Sequence, residues 1–171
     1  MRLLSDFTFP LPPPSFYSQG NQLSEPMTEF VHGESGEANG MIYAATGMQG
    51  WRRDMEDRHL LVGSIPGADD HALFAVFDGH GGQEAADFAA DNLQQALVKS
   101  AAFVQYAQGA RDDVALLQQA LEASLLTCDA DLRATLPPDC RAGCTSVVAV
   151  VTPTHIICAN RLALVSDPAC L

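Results

Sequence analysis

Residues 72–82, Ala-Leu-Phe-Ala-Val-Phe-Asp-Gly-His-Gly-Gly, constrain this chain more than any other stretch. From Ala72 to Phe77 the residues are apolar without interruption. Such a run, lacking polar alternation, predicts a strand buried on both faces. Asp78 then sets a carboxylate at the strand's end. Gly79 lets the backbone turn where a side chain would clash, so its carbonyl can face a ligand. His80 follows, and Gly81 and Gly82 keep the turn open. A carboxylate, a bare carbonyl and an imidazole at the end of a rigid strand suit a metal ion and a proton donor.

Residues 51–59, Trp-Arg-Arg-Asp-Met-Glu-Asp-Arg-His, belong with that turn. Glu56 and Asp57 are adjacent acids flanked by Arg52, Arg53 and Arg58. If residues 58–62 pair antiparallel with residues 72–77, Glu56 and Asp57 lie at one strand's start and Asp78 at the other's end. Those ends are neighbours in such a pair. Three carboxylates and a carbonyl then share one corner. Hard oxygen donors of this kind favour Mg²⁺ or Mn²⁺ over zinc.

These residues resemble the metal-dependent protein serine/threonine phosphatases of the PP2C (PPM) family. The resemblance is carried by Gly47-Met48-Gln49-Gly50-Trp51-Arg52 with Met55-Glu56-Asp57, and by Phe74-Ala75-Val76-Phe77-Asp78-Gly79-His80-Gly81-Gly82. A third match is Gly143-Cys144-Thr145-Ser146-Val147-Val148 with Thr152-Pro153-Thr154-His155-Ile156 and Ala159-Asn160. The three come in the family's order over residues 41–160. The resemblance implies that Asp78 bridges two Mn²⁺ or Mg²⁺ ions, with the Gly79 carbonyl and Glu56 completing one of them and Asp57 acting through water. It also implies that Arg52 grips the substrate phosphate and that His80 protonates the leaving serine or threonine oxygen. Phosphoserine and phosphothreonine proteins are then the expected partners.

After Asn160 the family continues with Gly-Asp-Ser-Arg, where this chain reads Arg161-Leu162-Ala163-Leu164. The family's later aspartate motifs are also missing. Residues 161–171 are therefore expected to be a divergent tail and the second ion site to be incomplete. Hydrolysis by this chain is expected to be weak or absent, with sheet edges and apolar faces left open. The alternative is a non-catalytic PP2C-like module that engages a phosphoprotein or a phosphatase partner.

The remaining elements follow from periodicity. Residues 41–46 predict a first strand, with residues 47–50 bending the chain away. Residues 83–106 predict a helix broken near Ser100. Residues 112–134 predict another, with Val114, Leu117, Leu121, Leu125, Cys128 and Leu132 on one buried stripe. Residues 144–151 and 155–159 predict a hairpin around Thr152-Pro153-Thr154. The fold class expected is α+β, an incomplete layered β-sandwich flanked by helices. Residues 1–40, with Pro10, Pro12, Pro13 and Pro14 and scattered glutamates, are expected to be a disordered tail.

With 171 residues the chain can bury a real core. Its net charge of −12 argues against nucleic acid and anionic membranes as partners. No apolar run reaches the length of a membrane span. Five cysteines without a CxxC, and an acid at position 6 where a secretory signal needs an apolar core, point to a cytoplasmic or nuclear setting. Cys140, Cys144 and Cys158 lack a clear fourth partner for zinc.

Overall fold

The computed structural model describes residues 22–137 and 139–165. Two long strands open the chain, β1 (Gln22–Ala38) and β2 (Met41–Arg52), followed by β3 (Arg58–Val62), β4 (Ala72–Phe77) and the short β5 (Gly79–His80). Three helices come next, α1 (Glu84–Lys99), α2 (Ala101–Ala107) and α3 (Val114–Thr135), and then β6 (Gly143–Val151) and β7 (Ile156–Val165).

β4 lies inside the main sheet, between β3 and β6, and all its pairings are antiparallel. β6 carries the rest: β5 pairs with its first residues and β7 runs along its whole length. Leu73, Ala75 and Phe77 of β4 and Cys144, Val148 and Val150 of β6 are buried on one face, with the inner sides of α1 and α3. In α1 the buried residues Ala85, Ala86, Ala89, Leu93 and Leu97 keep three- and four-residue spacing. The helix stops where Ser100 turns extended, and the Ser100 hydroxyl then caps α2 by accepting from the Phe103 amide. Asp113 caps α3 through the Ala115 and Leu116 amides. Leu117, Leu121, Leu125, Cys128 and Leu132 form its buried stripe.

The β1–β2 hairpin lies against the other face. Tyr43 meets Phe74 with ring centroids 5.1 Å apart, and the Asn39 amide donates to the carbonyls of Gly63 and Asp69. On this face Val76 and its cross-strand partner Val147 stay exposed, as does Ile156. The α+β layered expectation holds.

Three expectations are corrected. Gln22–Ala38 is not a disordered tail but a strand, turned into β2 by Asn39 (φ 54°) and Gly40 (φ 73°). That two-residue turn has the positive φ pair an Asn-Gly hairpin needs. β1 is an edge strand rich in glutamate, with Pro26 falling where the register shifts, both of which suit an edge. Next, β2 does not end near Thr46; it runs to Arg52, through Gly50 with its positive φ. Lastly, the return strand expected over residues 155–159 is longer: β7 runs on to Val165, and Leu164 is buried, in a stretch that departs from the family pattern. The proline-rich part of the expected tail, residues 10–14, and residues 166–171 lie outside the described residues.

Candidate metal and phosphate site

The register of β3 on β4 builds the corner expected from the sequence. Arg58 pairs with Phe77, so Glu56 and Asp57, just before β3, arrive beside Asp78, just after β4. β6 fixes Asp78 from the other side, because the Thr145 amide donates to the Asp78 carbonyl at 2.9 Å. An ion pair between Arg58 and Asp87 ties the start of β3 to the first turn of α1. Gly79 has to be glycine: a Cβ there would lie 2.4 Å from the Glu56 carbonyl oxygen.

Arg52, Glu56, Asp57, Asp78 and Gly79 line one cavity of about 250 Å³ together with Gln49 and Asp54. Its wall is held by Gln49, whose amide donates to the carbonyls of Arg52 and Arg53 at 3.0 and 2.8 Å. Gln49 sits in the Gly-Met-Gln-Gly stretch, yet only its three-residue spacing to Arg52 hinted at this brace. Arg52 is exposed at the mouth, with one guanidinium nitrogen 3.6 Å from Glu56. Partial burial pushes the Asp57 carboxyl above its ordinary value. The charges of Asp78 and Glu56 add to this, and Arg52 opposes it.

His80 is not in this cavity's wall. It stands in β5 opposite Gly143 of β6, at the surface, with its ring against the Gly143 backbone.

The donor chemistry fits a hard divalent cation. Three carboxylates and a carbonyl line one polar space, and the repulsion felt by Asp57 is what a cation relieves. Among the described residues, no three acidic, histidine or cysteine side chains already converge closely enough to hold an ion. Glu56 is part of the reason. Its Oε1 accepts from the Gly82 amide at 2.8 Å, and its other oxygen faces Arg52.

A family model described as protein phosphatase 2C matches residues 41–161. The chain belongs to the protein phosphatase 2C family. It is 32% identical over 154 residues to protein phosphatase ppm-1.A of Caenorhabditis elegans, covering 84% of this chain and 32% of that protein. It is 37% identical over 145 residues to protein phosphatase 2C homolog 3 of Schizosaccharomyces pombe, covering 82% of this chain and 33% of the relative. Against the crystal structure of a serine-threonine phosphatase 2C from Toxoplasma gondii the TM-score is 0.51 at 24% identity. That match covers 81% of this chain and 52% of the other, and it bears on the fold alone. The chain thus spans about a third of the length of these two relatives.

Proposed function

We propose that this chain carries the first part of a metal-dependent protein serine/threonine phosphatase site, within residues 41–160 and with residues 161–171 as a divergent end. The observation that carries this reading is the convergence of Glu56, Asp57, Asp78 and Gly79 on one polar cavity with Arg52 at its mouth. Mn²⁺ or Mg²⁺, when bound, supplies positive charge against the phosphoryl oxygens and makes water nucleophilic at neutral pH. Asp78 and the Gly79 carbonyl, with Glu56 and Asp57 beside them, would hold the cation. The family uses two ions, and the carboxylates described here suit one.

Arg52 reaches out from the end of β2 with its planar fork free of burial, which suits a bidentate grip on a phosphoryl group. His80 stands outside that cavity's wall, on the β5 side of the same loop, and its proposed role as proton donor to the departing serine or threonine oxygen rests on the family resemblance. Gly79 lets the loop pack directly on the Glu56 backbone, beside the acids. Phosphoserine and phosphothreonine proteins are the partners proposed. An acidic chain is a poor match for nucleic acid or an anionic bilayer. Among the described residues no helix is long and apolar enough to cross a membrane. The setting proposed is cytoplasmic or nuclear.

A second reading, a non-catalytic module that binds a phosphoprotein or a phosphatase partner, is favoured by the open spacing of the acids. Mn²⁺-dependent hydrolysis of para-nitrophenyl phosphate by this chain and by Asp78→Asn separates the two. Activity that disappears in the variant supports the enzyme. No activity in either, with saturable retention of a phosphoserine peptide, supports the binding module and agrees with the weak or absent hydrolysis expected of this chain.

A further inference from the structure

Gly143 begins β6 and faces His80 across the β5–β6 ladder. Its φ is not among the positive values found in this chain, so its backbone conformation is open to any residue. What a side chain here would compete for is the space of the His80 ring. A Cβ on Gly143 would stand 2.6 Å from Nε2 and 3.0 Å from Cε1 of His80. On another side it would lie 3.1 Å from the Leu164 carbonyl oxygen. The imidazole edge thus occupies the volume that any other residue at 143 fills with its first carbon.

That floor is itself held from behind. Gly143 and Cys144 pair with His80 and Gly79 on one side, and with Val165 and Leu164 on the other. Cys144 and Leu164 are both buried. The last rungs of β7, which lie past the family-like stretch of the sequence, therefore clamp the strand on which the imidazole rests.

We propose that Gly143 is the positioning residue for the His80 imidazole, its bare Cα forming the floor on which the ring sits, with Leu164–Val165 of β7 holding that floor in place. The inference rests on the reading of His80 as proton donor for its catalytic meaning, and on packing alone for its geometry. Substituting Gly143 leaves the backbone path permitted and forces the ring to swing. A general acid moved by about an ångström loses its effect on poor leaving groups first, since good ones need little protonation.

The first arm of the test is spectroscopic and needs no activity. In the full chain, the Cε1–H signal of His80 is assigned by its loss in His80→Gln. It is expected to show a nuclear Overhauser contact to the Gly143 Hα protons. In Gly143→Ala that signal is expected to shift while those of His71 and His155 stay in place, which also reports that the variant folds. Absence of the His80–Gly143 contact in the unsubstituted chain overturns the proposal, even if Gly143→Ala does not fold. An unmoved His80 signal in a folded Gly143→Ala overturns it as well. The second arm is kinetic. Gly143→Ala is expected to lower kcat on a phosphoserine peptide by about a hundredfold, with KM and para-nitrophenyl phosphate turnover changed far less. Equal losses on both substrates overturn the positioning role. A chain without any hydrolysis agrees with the weak or absent activity expected of it, and the spectroscopic arm then decides the placement of the ring.

Discussion

Asp129 joins the end of β7 to α3, and its removal is the sharpest test of whether residues 161–165 belong to the fold. The carboxylate is buried, and its Oδ2 lies 2.7 Å from an Arg161 nitrogen and 2.9 Å from an Arg133 nitrogen. Arg161 reaches it from 32 residues further along the chain. Breaking a fully buried charge pair costs about 3–5 kcal/mol. Here the two arginine side chains keep 31% and 36% exposure, so water takes back part of their charge when Asp129 is gone. Asp129→Ala is therefore expected to cost about 2–3 kcal/mol. Arg161→Ala leaves the carboxylate its Arg133 partner and is expected to cost about 1–1.5 kcal/mol, the worth of one charge-assisted hydrogen bond. In a domain of this size the first loss lowers Tm by roughly 4–10 °C. Urea unfolding followed by circular dichroism measures both, provided the slope with denaturant is unchanged. A loss below about 0.5 kcal/mol for Asp129→Ala, the range of a neutral surface change, refutes the claim that β7 is anchored there.

Two further outcomes follow from charge and burial. Burial raises the Asp70 carboxyl, but its backbone hydrogen bond and the nearby His71 and Arg111 outweigh this and hold it below the ordinary 3.8. Arg111 lies 2.8 Å from Asp70 Oδ1, and His71 Nδ1 is 2.9 Å away though poorly aligned for a hydrogen bond. A depressed carboxyl stabilises the fold above the unfolded value and loses that contribution as pH falls through the lower folded value. Asp70→Asn is thus expected to flatten the stability loss below about pH 3.8 seen with the unsubstituted chain, and a superimposable pH profile contradicts it. Burial pushes Cys128 up to about 11 and Cys144 up to about 12, while Cys158 is exposed. At pH 8 iodoacetamide is expected to modify Cys158 and to spare Cys128 and Cys144 until denaturant is added, as read by peptide mass mapping. Fast native labelling of Cys144 contradicts the packing of β6.

Much of the fold was legible because its signals are local. The apolar run 72–77 has no alternation, and its strand bounds coincide with those read from the residues, but the burial on both faces expected of it is corrected: Val76 is exposed. The corner of acids followed from one pairing assumption, which the Arg58–Phe77 register bears out. What escaped has physical reasons. β1 is polar, glutamate-rich and largely exposed, so hydrophobic periodicity could not mark it, although Asn39-Gly40 was a hairpin signal in plain view. β7 past Asn160 departs from the family pattern, and its fit depends on Asp129, a partner remote in sequence. The loop that carries Asp78 also carries His80, which suggested one pocket. The β5–β6 ladder instead turns the imidazole toward Gly143, a separation that only cross-strand packing decides.

Mn²⁺ binding, measured by electron paramagnetic resonance on this chain and on Asp78→Asn with the loop-acid variant Asp69→Asn as control, decides whether Glu56, Asp57, Asp78 and Gly79 form a divalent-cation corner. Saturable binding is expected, preserved in Asp69→Asn and weakened by about tenfold or more in Asp78→Asn. Equal binding by all three, or none by the unsubstituted chain, contradicts it.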